Sequence, residues 1–298
     1  SSSHFGSRVL AAGSGSPVDT TDMNSTPEEA TKLETPAPES NDSGTVETPV
    51  ETPVQAEKIT SPTDCLKKWA ESKPEAATCG EFYDAMDGEA YDEYNGNINY
   101  TDPYEIAESI YKAAPAPGTP ESENDCGWLD APRDSLMFDV GQGTGIMGKL
   151  LKAQNYTFIE GADASEEFCS VANERGHYNT PCRALYFGVG CENLPQEWAG
   201  KYDIIMGAGV FLKSHIPARS FDEFYWMLKT GGHFVCSMRE QYNVNGEEHG
   251  YKDKIDAMVA SGRFEMVKEW NFMRGIPDAA DPMFAEMRSC MFMLRRLD

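Results

Sequence analysis

Phe138-Asp139-Val140-Gly141-Gln142-Gly143-Thr144-Gly145 is the stretch on which the reading of this chain turns. It continues a short apolar run that starts at Leu136, and it opens onto Gly145–Gln154, where Ile146, Leu150 and Leu151 recur at helical spacing. A strand, a glycine loop and a helix in that order leave unpaired amides at a helix N-terminus. The glycines let the backbone turn tightly there and come close to a ligand.

Two ligand classes compete for such a loop. Read as Gly143-x-Gly145-x-x-Gly148, it fits the dinucleotide fingerprint, with Asp163 as the ribose-binding acid. Read as Asp139-x-Gly141-x-Gly143-x-Gly145, it fits a loop for S-adenosylmethionine. Asp139 separates the two. A carboxylate at the strand end suits a ligand carrying an ammonium and a sulfonium, and it repels a pyrophosphate. The methyl-donor reading is therefore favoured over NAD.

Outward from the loop, strands and helices alternate. Tyr156–Gly161 reads as a second strand, and Ser165–Arg175 as a helix capped by Ser165 and stopped by Gly176. Arg183–Phe187, Tyr202–Met206 and His233–Met238 read as further strands. Phe221–Lys229 reads as a helix ended by Gly231-Gly232, and another helix surrounds Asp253–Ala260. Phe264–Met273 and Cys290–Leu297 are strand-like, and no helical pattern separates them, so the last strand is expected to run antiparallel. This alternation predicts one α/β domain over 63–298, a Rossmann-like, mostly parallel sheet with helices on both faces. Its sheet core is placed at 134–298. Upstream, residues 63–112 read as a helical cap, with Leu66 and Trp69 on one face and Tyr83, Tyr91, Tyr94 and Tyr100 clustered before the sheet. In Thr101-Asp102-Pro103-Tyr104-Glu105, Asp102 is expected to cap a helix. Residues 113–132 read as an exposed, proline-rich loop.

At this point the chain resembles class I S-adenosylmethionine-dependent methyltransferases, and within them the Williams–Beuren-region methyltransferase-like proteins. The matching pieces are Tyr91-Asp92-Glu93, Tyr100, the D-V-G-Q-G-T-G loop, Gly161-Ala162-Asp163-Ala164-Ser165, Leu194-Pro195, Tyr202-Asp203-Ile204-Ile205, Ala208-Gly209-Val210-Phe211, His215, Lys229-Thr230-Gly231-Gly232 and Arg239. The resemblance implies a seven-stranded sheet with the donor across the strands' C-terminal ends, where open parallel sheets bind ligands. It implies that Asp139, Gly141, Gly143 and Gly145 hold the methionine end, and that Asp163, followed by Ala164, accepts both ribose hydroxyls. Gly207 and Ala208 would pass close to the reacting methyl. Where relatives place an acid beside the adenine amino group, this chain has Phe187-Gly188-Val189-Gly190, so either Glu192 or Asn193 substitutes after a small shift, or adenine is held only by apolar contact and backbone amides. His215 is the candidate general base. Tyr91, Tyr100, Phe211 and Arg239 are candidates for the lid or the acceptor site.

Composition bounds the rest. Asp plus Glu number 49 against 25 Lys plus Arg, a formal net charge of −24, which counts against a basic face over nucleic acid. No run approaches the ~18 apolar residues of a membrane span, so no membrane partner is expected. The eight cysteines contain no C-x-x-C pair, so they are expected to be free thiols, and no metal site is anticipated. Residues 1–62 hold ten acidic and three basic residues and the repeat Val46–Val54 (V-E-T-P-V-E-T-P-V), which reads as a disordered acidic tail open to a protein partner. The expected setting is cytoplasmic. The serine-rich opening with Arg8 offers an organellar transit remnant as the runner-up. Two functions follow: methyl transfer to a small-molecule acceptor, or a catalytically silent scaffold of the same fold. Whether O, N or S is methylated is not legible.

Overall fold

The computed structural model describes residues 58–71, 79–113, 127–279 and 285–298. Among the described residues, four short helices precede the sheet: α1 (Pro62–Glu71), α2 (Cys79–Asp84), α3 (Gly88–Asn97) and α4 (Asp102–Tyr111). Then come β1 (Met137–Val140), α5 (Ile146–Ala153), β2 (Ile159–Asp163), α6 (Glu166–Arg175), β3 (Arg183–Ala184) and β4 (Tyr202–Gly207). The chain ends with α7 (Phe221–Met227), β5 (Leu228–Arg239), α8 (Tyr251–Ala260), β6 (Phe264–Arg274) and β7 (Met287–Arg296). The seven strands lie in the order β3-β2-β1-β4-β5-β7-β6. The first five run parallel, and β7 enters antiparallel between β5 and β6. This is the α/β sheet expected from the alternation.

Local chemistry accounts for most boundaries. All four residues of β1 are buried, as a central parallel strand requires. The Ser165 side chain accepts a bond from Phe168 N at the start of α6, and Gly176 in the left-handed region ends it. One large core cluster joins Phe138, Phe211, Phe221, Phe224 and Phe234 to the helices on one face. A second places Ile106 and Ile110 of α4 against Met291 and Trp270 on the other.

Several expectations are corrected. The folded part begins before residue 63, because Ile59 forms a parallel bridge with Met86 and Lys58 pairs with Glu167. Residues 1–57 of the expected tail, and most of the proline-rich loop, lie outside the described residues, as do the side chains of Leu66 and Trp69. Gly231-Gly232 do not end a helix. α7 stops at Met227, and these glycines lie inside β5 at a register shift against β4. A Cβ on Gly232 would stand 2.9 Å from Lys229 O and 3.0 Å from Asp203 O, so only glycine fits there. Asp102 is not a cap. It is wholly buried, accepts from Ser237 Oγ (2.7 Å) and pairs with Arg274 Nη1 (2.9 Å), an ion pair that outweighs a solvent-facing role. Cys169 and Cys182 are joined in a disulfide, with Cα atoms 5.1 Å apart, so these two are not free thiols. The packing of α6 beside the approach to β3 brings them together, which their spacing of 13 does not reveal.

Candidate functional site

The glycine loop between β1 and α5 lines a cavity of about 430 Å³ at the C-terminal ends of β1, β2 and β4. Gly141 takes φ +66°, and an added Cβ would lie 2.6 Å from Val210 Cγ1. Gly143 takes φ +54° and has open space before it. The loop is therefore bent away from its neighbours on one side and open to the cavity on the other.

Asp139 is buried beneath this loop and faces the cavity. Tyr178 donates its hydroxyl to Asp139 Oδ2 at 2.6 Å, and Gly148 N donates to the same hydroxyl oxygen at 3.2 Å. Burial pushes the Asp139 carboxyl up to about 7, reinforced by the charge of Asp163 and opposed by the Tyr178 bond. Asp163, at the end of the neighbouring strand β2, also lines the cavity. Its Oδ2 accepts from Gly143 N (2.8 Å) and its Oδ1 from Ser165 N (2.9 Å). It thus ties the glycine loop to the start of α6, and lone pairs on both oxygens remain for a ligand. Ala164 also lines the cavity.

The cap closes the site from above with Tyr83, Tyr91 and Asn95 of α2 and α3, and with Tyr100. Asp92 fastens this cap to the loop. It accepts from Thr144 Oγ1 at 2.5 Å and from Arg175 Nη1 at 2.6 Å, while Arg175 also reaches Thr144 O. Tyr100 donates to Ala208 O at 2.8 Å and lies over Gly209, where a Cβ would meet its hydroxyl oxygen at 2.2 Å. His215 lines the cavity. Its Nδ1 sits 3.0 Å from Lys213 O, an acceptor, so Nδ1 carries the hydrogen and Nε2 accepts the Tyr83 hydroxyl at 2.8 Å. Burial brings the imidazole down to about 4, so it is neutral at physiological pH.

Other expected residues fall elsewhere. Glu192 and Asn193 are exposed and do not line the cavity. Asn193 bonds Val189 O, and Glu192 folds beside Gly190. The wall on that side is made by Leu185, Phe187 and Val189 instead. Phe211 is buried in the aromatic core among Phe221, Phe224 and Phe234. Gly207 and Gly145 stand behind the lining, Gly207 because a Cβ would strike the Phe211 ring at 2.9 Å. Arg239, at the end of β5, is outside the lining as well.

Two residues that support the site escaped the sequence reading. Buried Glu223 on α7 accepts from Gly188 N (2.7 Å) and Gly190 N (2.6 Å), holding the third loop against the cavity. Tyr178 supports Asp139. Neither belongs to a motif, and each acts only through tertiary placement. Away from the cavity, the side-chain ligand atoms of Glu247, Glu248 and His249 lie within 4.8 Å of one another, with His249 Nδ1 2.5 Å from Glu247 Oε1.

The cavity's volume lies within the ~300–1,000 Å³ of small-molecule sites. Gln142 and Asn95 are buried in its lining, and the Gln142 amide and Asn95 Nδ2 have no partner among the described residues. Buried amides without partners are costly, and a bound polar ligand would satisfy them.

Residues 137–232, which carry the loop and strands β1 to β4, match the family model described as a methyltransferase domain. The chain is 25% identical over 197 residues to human methyltransferase-like protein 27, across 66% of this chain and 70% of that protein. Among solved structures it is similar to an S-adenosylmethionine-dependent methyltransferase from Mesorhizobium loti (19% identity, TM-score 0.38, 55% of this chain and 91% of that one). It is also similar to magnesium protoporphyrin IX methyltransferase from Synechocystis with bound S-adenosylmethionine (15% identity, TM-score 0.37, 55% and 70%).

Proposed function

We propose that the chain is a class I S-adenosylmethionine-dependent methyltransferase acting on a small-molecule acceptor. The finer likeness to the Williams–Beuren-region proteins belongs to the same reading. The observation that carries it is the convergence of Asp139, the glycine loop and Asp163 on one cavity roofed by cap tyrosines.

The bound donor supplies an already activated methyl group on a sulfonium. Asp139 would hold its ammonium, and Asp163, fixed by Gly143 N and Ser165 N, would accept its ribose hydroxyls. The apolar wall of Leu185, Phe187 and Val189 suits adenine, with the unpartnered Gln142 amide beside the loop. Tyr83, Tyr91 and Phe168 pack edge to face and tilted beside the cavity they line, and would help to keep water from the bound donor. Methyl transfer then depends mainly on in-line positioning. His215 Nε2 already accepts the Tyr83 hydroxyl, so the pair suits orientation of the acceptor more than proton abstraction.

Calorimetric titration with S-adenosylmethionine, its demethylated product and NAD tests the donor. Saturable binding of the first two alone is expected, and comparable affinity for NAD sinks the reading. Turnover against a panel of small acceptors then separates the enzyme from a silent scaffold.

A further inference from the structure

β5 ends at Arg239, and the sheet register fixes what surrounds it. Ser237 and Arg239 share one face of β5, Arg239 pairs with Ser289 on β7, and Ser289 pairs with Phe272 on β6. Arg274, two residues beyond Phe272, therefore stands on the same face at the same end of the sheet. That face is the one met by the start of α4, whose Asp102 bonds both Ser237 and Arg274.

The charges here do not balance. Arg274 has Asp102, while Arg239 makes no hydrogen bond and no ion pair among the described residues. Its Nε is buried without a partner. The adjacent Glu240 turns outward to Arg288. Ser289, opposite Arg239, is wholly buried, and its hydroxyl oxygen is also unpartnered. A guanidinium Nε and a hydroxyl, buried without partners on paired residues, form an incomplete polar site, costly unless an anion completes it. The place is close to the cavity. Ser237 Oγ accepts from Gly209 N, and Gly209 lines it. The charge of Arg239 also acts on His215 and on Tyr94 of the cap.

We propose that Arg239 and Ser289 form a carboxylate-binding subsite at the end of β5, beside the cavity and outside its lining, and that the methyl acceptor is a small carboxylate held there. This rests on the methyl-transfer reading above. In a chain of net charge −24, an unbalanced cation beside the site would select a monoanion from solution while the surroundings discourage larger polyanions.

The test uses the full chain saturated with S-adenosylhomocysteine and follows binding of acetate and benzoate by ligand-observed NMR, with acetamide and benzamide as uncharged controls. Wild-type protein is expected to bind the carboxylates saturably in the millimolar range and the amides at least about tenfold more weakly. Arg239→Gln should lose the carboxylates while its S-adenosylhomocysteine affinity stays within about twofold. Should that variant fail to fold, Ser289→Ala, which removes only the open hydroxyl, should weaken carboxylate binding by about threefold or more. Equal binding of acids and amides, or carboxylate binding unchanged in Arg239→Gln, overturns the proposal. A tenfold loss of S-adenosylhomocysteine affinity in Arg239→Gln also overturns it, because the subsite would then serve the donor's own carboxylate. If S-adenosylhomocysteine does not bind wild-type protein at all, the donor reading fails. The carboxylate arm, repeated on the protein alone, then decides the subsite separately.

Discussion

Asp139 is a buried carboxyl that accepts a hydrogen bond from Tyr178. Its folded-state value near 7 lies above the ordinary 3.8, so between those two pH values the folded protein binds a proton that the unfolded chain does not. By itself the group therefore stabilises the fold at low pH, and this contribution is lost as pH rises toward 7. A bound ammonium reverses the preference by favouring the ionised form. Donor affinity is thus expected to rise with pH to about 7 and then level off, with proton release on binding below that point. Asp139→Asn keeps an acceptor for Tyr178 but removes the charge. It should raise thermal stability at pH 8, by about 1–3 kcal/mol, and weaken the donor by about tenfold or more. Calorimetry at several pH values and a melting curve check both signs. A variant that binds the donor normally would show that the ammonium lies elsewhere.

At the scale of elements, the third loop shows how a helix shapes a binding wall. Gly188 and Gly190 both have positive φ, and their amides point into the buried carboxyl of Glu223 on α7. Burial raises the pKa of that carboxyl, while the amides act in the opposite sense. Glu223→Ala is expected to leave two loop amides open, cost about 2–4 kcal/mol of stability, and weaken donor binding about tenfold by loosening this side of the cavity. Glu223→Gln, which keeps one acceptor oxygen, should fall between wild type and Glu223→Ala. Unchanged donor affinity in a folded Glu223→Ala would remove this loop from the site. The same loop marks where sequence legibility ends. The Asp139–Gly145 loop, Asp163, the Ser165 cap and the Gly176 stop are all local, so residue types and short spacings reveal them. Glu192 and Asn193 were the nearest polar residues along the chain to the missing acid. The loop is instead folded by a residue more than thirty positions away, which turns them to solvent. Tyr178 and the Cys169–Cys182 pair escaped for the same reason, since each meets its partner only after the sheet has formed.

At the scale of the molecule, the contacts of the segment before α1 decide which shortened chains keep their stability. Ile59 N donates to Ala85 O at 2.8 Å, and Asp87 N donates to Ile59 O at 2.9 Å. These bonds clamp the segment before α1 onto the turn between α2 and α3. Asp87 also caps α3, which carries Tyr91 and Asn95 over the cavity. The acidic composition of residues 1–57 offers little apolar surface for docking, so removing them should leave melting temperature and donor affinity unchanged. Removing residues 1–60 additionally deletes both Ile59 bonds and the half-buried Ile59 side chain. That should cost about 2 kcal/mol, a fall of roughly 4–8 °C, with a smaller loss of donor affinity as α3 loosens. Melting curves and donor titrations on the two shortened chains check the difference. Equal melting temperatures would show that the Ile59–Met86 bridge contributes nothing. A drop already present on removing 1–57 would show that earlier residues take part in the fold.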